Sequence, residues 1–116
     1  MIDITSQYQS VKKEIREDIH LIAVSKTKPA NLISQVYSLG QKDFGENKVQ
    51  ELSEKANTLS HLCDLKWHFI GHLQSNKINQ LLSIKNLKYI HSIDRVSLLD
   101  KILVKNPQEK IGLFIQ

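Results

Sequence analysis

Five short apolar runs punctuate the chain at intervals of roughly 22 to 25 residues: HLIAVSK (20–26), KDFGEN (42–47), LKWHFIG (65–71), KYIHSI (88–93) and IGLFIQ (111–116). Between consecutive runs lie segments whose apolar residues recur at helical spacing. A strand followed by a helix and then another strand forces parallel pairing with right-handed crossovers, because a parallel neighbour cannot be reached through a tight hairpin. The chain is therefore predicted to be an α/β protein of about five parallel strands alternating with helices. A doubly wound sheet and a TIM-like (β/α) barrel both satisfy that ordering, which by itself does not choose between them.

The helices can be placed from their apolar stripes and end signals. Tyr8, Val11, Ile15 and Ile19 predict an amphipathic N-terminal helix over 6–18, packed by its stripe on the body. Pro29 stands where a helix can start without losing a hydrogen bond, Leu32, Ile33, Val36 and Tyr37 share one face, and Gly40 can end it in the left-handed conformation. Val49, Leu52, Ala56 and Leu59 predict a helix over 48–59. Ser75 is expected to cap a helix bearing Ile78, Leu81 and Leu82, and Asp94 one bearing Val96, Leu99, Ile102 and Leu103.

Composition narrows the class of partner. The net charge of +4 comes from lysines scattered along the chain with no basic run, which describes a solvated surface and argues against nucleic acid. Cys63, the one cysteine, has no partner for an internal disulfide, the start MIDITSQYQS lacks the basic and apolar regions of a signal peptide, and no apolar run has the length of a membrane span. A soluble cytoplasmic protein with no membrane partner is expected.

The residue with the strongest chemical character is Lys26. It stands at the C-terminal end of the first strand, the end at which parallel α/β folds assemble their sites. Held among apolar strand residues and beside Lys28, its ammonium would lose hydration and meet like charge, and both effects raise the neutral fraction able to attack an aldehyde. After the second strand, Gly45 permits a tight turn and Asn47 can either cap the next helix or face a ligand. Ser92 lies near the end of the fourth strand, within hydrogen-bonding reach of the same rim. His68 and His72 have the four-residue spacing of helical zinc ligands, but a strand and Gly71 separate them, so no metal site is assigned. In the third strand Trp67 and Phe69 share one face and His68 and Ile70 the other, so one pair faces the helices and the other the interior.

Four blocks, AVSKTKP (23–29), FGENKVQE (44–51), WHFIGHLQSNK (67–77) and HSIDR (91–95), occur in the order and spacing of the pyridoxal phosphate homeostasis protein family, which the chain resembles from residue 23 to residue 95. The resemblance implies a single TIM-like barrel similar to the N-terminal domain of alanine racemase, with pyridoxal 5'-phosphate held as a Schiff base on the lysine of the VSK motif, here Lys26. It favours a cofactor-side Asn47, while Ser92, by its place near the end of the fourth strand, can hydrogen-bond the same cofactor. It also implies a carrier that maintains vitamin B6 supply without established catalysis. An enzyme of the racemase type would need a second base on the opposite face of the cofactor, and nothing after residue 95 offers one.

Family members are longer and carry a Ser-Met-Gly-Met motif near the phosphate and an arginine facing the pyridine nitrogen, neither of which occurs in this sequence. A closed eight-stranded barrel takes roughly 250 residues. The expectation is a single unit over 1–116, a truncated N-terminal half of a (β/α)8 barrel with weak cofactor binding and self-association through exposed strand edges. The competing readings are a fragment of a racemase-type enzyme and a remnant that no longer holds cofactor tightly.

Overall fold

The computed structural model describes residues 3–105 and 110–115. Their order is α1 (Ile4–Glu14), β1 (Ala23–Val24), α2 (Ala30–Ser38), β2 (Asp43–Glu46), α3 (Val49–Thr58), β3 (Lys66–Phe69), a 3-10 turn (Ser75–Lys77) leading into α4 (Ile78–Leu82), β4 (Leu87–Ile93), α5 (Val96–Lys105) and β5 (Gly112–Ile115). All five strands pair in parallel, in the order β1-β2-β3-β4-β5. That order resolves the choice left open by the alternation. A doubly wound sheet reverses its strand order at a switch point, whereas a TIM-like barrel adds each new strand beside the last.

The two faces of the sheet have opposite chemistry. Phe44 and Trp67 are in register and their rings meet at 6.3 Å, while Glu46, two residues on from Phe44 and so on its face, reaches Lys55 of α3. This is the face covered by helices, where Ile33, Leu52, Phe69, Ile90, Leu98 and Ile102 are buried with them. Each such side chain, fully buried, contributes about 1.5–3 kcal/mol. Trp67 and Phe69 are therefore packing residues of the helix side, and His68 belongs to the inner face. There His68 stacks on Tyr89 at 4.5 Å, His91 stacks on Phe114 at 4.4 Å, and His68 Nε2 lies 2.8 Å from Asp43 Oδ1. Burial holds the pKa of both His68 and His91 below the ordinary histidine range; Asp43 opposes the shift at His68, and His68 reinforces it at His91.

Several local expectations are corrected. The first strand is only Ala23–Val24, because Gln41 takes the ladder position before it: its Nε2 donates to Leu21 O at 2.7 Å and to Asp43 O at 2.8 Å. The N-terminal helix ends at Glu14 and buries none of its residues fully; Val11 is exposed, and attachment runs through Ile4, Tyr8 and the bond from Tyr8 Oη to Gln41 Oε1 at 2.8 Å. Ser75 opens the 3-10 turn and makes no capping bond. Asp94 pairs with Arg95 Nη1 at 2.7 Å and faces His72 Nδ1 at 3.7 Å. Gly40 does take the left-handed conformation, at φ 110°, and closes α2 through its N–H to Tyr37 O. Gln116, the last residue of the fifth apolar run, lies outside the described residues.

Candidate functional site

The C-terminal ends of β1 to β4 form one rim, and the sequence-predicted residues stand along it. The Ser25 N–H donates to Gly45 O at 2.9 Å, which sets Ser25 level with Glu46 and Lys26 level with Asn47. The next strand follows through the Ile70 N–H to Glu46 O at 2.8 Å, and the fourth through Ser92 Oγ, which donates to Gly71 O. Gly71 is required there: a Cβ at that position would sit 2.2 Å from Asn47 O. Lys26, Asn47, Gly71 and Ser92 thus mark four successive steps of one rim.

Lys26 itself is exposed, so the burial expected of it from its apolar neighbours is absent among the described residues. What the structure fixes is its backbone. Thr27, the next residue, has φ 65°, a conformation costly for a β-branched side chain. Its N–H donates to Glu51 Oε2 at 2.8 Å, and the Lys28 N–H closes the turn on Ser25 O at 3.0 Å. Beneath the turn, Lys55 donates to Ser25 O at 2.8 Å, Glu46 Oε2 at 2.9 Å and Glu51 Oε2 at 2.8 Å, using all three of its ammonium protons. Ser25 Oγ donates to the same Glu46 oxygen. Glu46 is fully buried, and its other oxygen, Oε1, has no hydrogen-bond partner among the described residues.

This clamp of Ser25, Glu46, Glu51 and Lys55 was not singled out from the sequence. Lys55 reads there as one more surface lysine, and Glu46 as part of a turn. The available signal was position: Glu46 occupies the helix-facing phase of β2, where a carboxylate demands a cation, and Glu51 and Lys55 are one helical turn apart.

Asn47 precedes α3 by two residues and does not cap it; Lys48 occupies the cap position and makes no side-chain bond there. Asn47 borders a hollow of about 250 Å³ lined also by Lys48, Phe69, His72 and Lys77. Ser92 is buried, with its hydroxyl proton directed at Gly71 O and its lone pairs left as acceptors. His68 and His72 are not brought together: the first faces Asp43 and His91 on the inner face, the second Asp94 on the rim. An exposed primary amine on a hydrogen-bonded turn thus shares the rim with the Asn47 amide and with Lys48 and Lys77 of the neighbouring hollow.

No family model matches the chain. Among curated proteins it is 52% identical over 103 residues to the bovine (Bos taurus) pyridoxal phosphate homeostasis protein, covering 83% of this chain and 38% of that protein. It is 46% identical over 103 residues to the protein of that name from Mus musculus, with the same coverage, and 37% identical over 97 residues to that of a Synechocystis strain, covering 84% of this chain and 44% of the other. The chain thus spans less than half the length of these relatives. Among solved structures, PipY of Synechococcus elongatus with pyridoxal phosphate bound superposes with a TM-score of 0.80 at 39% identity, covering 86% of this chain and 46% of PipY. The form of PipY without the cofactor gives 0.81 at 34% identity, covering 96% of this chain and 59% of PipY.

Proposed function

This chain is a relative of the pyridoxal phosphate homeostasis proteins, and from that premise we propose that it serves in vitamin B6 homeostasis by holding pyridoxal 5'-phosphate as a Schiff base on Lys26. The observation that carries the reading is the clamped turn at Ser25–Lys26–Thr27 on the C-terminal rim. Of the lysines in the matched blocks, Lys26 has its own carbonyl and both neighbouring residues tied into hydrogen bonds. The cofactor supplies an aldehyde carbon and an anionic phosphate. Lys26 supplies the amine, while Asn47 and Ser92 border the same rim and offer polar groups to the ring substituents.

The role is that of a carrier without turnover, in the cytoplasm, with no nucleic-acid or membrane partner. Two observations accompany it: the relatives are named for homeostasis, and among the described residues no helix is long and apolar enough to cross a membrane. As a single unit the chain corresponds to the first half of a (β/α)8 barrel, with β1 and β5 each pairing with one neighbour. Those edges favour self-association.

Borohydride reduction of the chain incubated with pyridoxal phosphate, followed by peptide mapping, tests the assignment. The label is expected on Lys26 and is lost in Lys26→Ala. A label carried mainly by Lys28, or spread over the surface lysines, overturns it.

A further inference from the structure

We propose that His20, Asp43 and His68 form a three-ligand site for a divalent transition-metal ion of the zinc type, on the inner face of the sheet and away from the Lys26 rim. His20 precedes β1, Asp43 opens β2 and His68 lies within β3, so three adjacent stretches of backbone each present one ligand. His20 Nε2 is 2.9 Å from Asp43 Oδ2, His68 Nε2 is 2.8 Å from Asp43 Oδ1, and the three ligand atoms lie within 4.8 Å of one another. Two imidazole nitrogens and one carboxylate oxygen are a set that zinc accepts, with a fourth position left to solvent. At metal–ligand bonds of about 2.0–2.1 Å, tetrahedral ligand atoms stand about 3.3 Å apart. Asp43 Oδ1 and His68 Nε2 would part by a few tenths of an ångström, and the exposed His20 ring, which meets the other carboxylate oxygen, would turn toward the same ion.

Support around the ligands distinguishes this cluster from a chance meeting of polar groups. The His68 side chain is only 3% exposed, stacked on Tyr89, with its Nδ1 3.0 Å from His91 Nε2. A metal-bound histidine generally donates its other ring N–H to an acceptor, and His91 occupies that place. Without metal, the short contacts require His68 to carry its proton on Nε2, donating to Asp43, and to accept from His91 on Nδ1. With metal on Nε2, the proton moves to Nδ1 and the bond to His91 reverses. The His20 side chain is 66% exposed and gives the ion a path from solvent. His72 and Asp94, on the rim, supply no ligand to this cluster.

The experiment uses the metal-stripped chain titrated with Zn²⁺ by calorimetry, with Co²⁺ visible absorption as a probe of tetrahedral coordination and ¹⁵N NMR of the imidazole rings. Expected are one equivalent of Zn²⁺ per chain, an intense tetrahedral Co²⁺ spectrum, and a switch of the His68 proton from Nε2 to Nδ1. His20→Ala, at an exposed position that should not disturb folding, weakens binding by more than about tenfold, and His91→Ala by about tenfold through lost orientation of His68. His72→Ala leaves it unchanged. No stoichiometric uptake, uptake undiminished in His20→Ala, or a His68 ring that keeps its tautomer in saturating Zn²⁺ would each show that the cluster is a hydrogen-bond network alone. None of these readouts involves pyridoxal phosphate, so the outcome is independent of the Lys26 assignment.

Discussion

The ammonium of Lys55 lies 2.8 Å from the carbonyl oxygen of Ser25, thirty residues earlier in the chain, and so holds from below the backbone that presents Lys26. A lysine on α3 thereby carries a structural duty for a lysine after β1. Both its carboxylate partners belong to the second β/α unit, so the Lys26 turn, closed by its own Lys28 N–H on Ser25 O, is braced from outside by the unit next to it.

Replacing Lys55 by methionine keeps most of the side-chain volume and removes the charge. Glu46, fully buried, is then left without a counter-ion. Loss of one partner from a buried pair costs about 3–5 kcal/mol. Urea denaturation should show that loss, and borohydride labelling of Lys26 should fall even under conditions where Lys55→Met remains folded. Labelling equal to the parent chain in the folded variant would mean that the clamp stabilises the fold without positioning Lys26.

Gly71→Ala should be more damaging than its size suggests. The added methyl meets Asn47 O at 2.2 Å; its position is fixed by the backbone and its neighbour is a backbone carbonyl, so neither can yield by a rotamer change. Forcing an extra methyl into such a contact costs about 1–3 kcal/mol. It should also part Ser92 from Gly71 O. Thermal unfolding of Gly71→Ala beside Gly40→Ala separates two causes: at Gly40 there is open space for the methyl, and only the φ of 110° opposes it. Equal losses would show that steric contact at Gly71 is unimportant.

Much of this fold was legible because hydrophobic phase is a local property. Strand positions, the N-terminal helix, and the placement of Lys26 and Asn47 at strand ends all follow from runs and breaks within a few residues. What escaped depends on contacts between distant residues. Gln41 shortens β1 by bonding Leu21 O, and no spacing rule anticipates a side chain filling a ladder position. The Ser25–Glu46–Lys55 clamp joins residues from three elements, and the His20–Asp43–His68 cluster three stretches of chain; each needs the strand register before its members can be seen as neighbours. Among the local features misjudged, the N-terminal helix runs Ile4–Glu14 rather than 6–18, and Lys26 is exposed because a strand of two residues leaves less apolar cover than the seven-residue run implied.

Self-association should run through the outer edge of β5. Among the described residues that strand pairs with β4 alone, and Phe114 and Ile115 are exposed on it. Sedimentation velocity over a concentration series is expected to show growth of oligomers with protein concentration. Ile115→Lys, which places a charge on an edge position without touching the core, should shift the distribution to monomer. An unchanged distribution in Ile115→Lys would direct attention to the β1 edge, where Val24 is exposed.

Acid should loosen the Lys26 turn through Glu51. Its carboxylate accepts from Lys55 and from the Thr27 N–H, and these bonds, the Lys55 one foremost, hold its pKa below the ordinary glutamate value. A carboxyl whose folded-state pKa is depressed binds its proton more readily in the unfolded chain, so stability rises with pH across the interval between the two values. The contribution is complete above the unfolded pKa and disappears as pH falls through the lower folded one. Glu51→Gln retains an oxygen acceptor but cannot titrate. The difference in unfolding free energy between parent and variant should therefore be greatest near neutral pH and shrink on acidification below the ordinary glutamate range. Losing the charge weakens the anchor of Thr27, whose φ is 65°, so the protection factor of the Thr27 amide against hydrogen exchange should fall in Glu51→Gln at neutral pH and in the parent at low pH. A parent–variant difference that stays constant from neutral to acid pH would show that Glu51 contributes packing alone and that the turn beneath Lys26 is held by Lys55 without it.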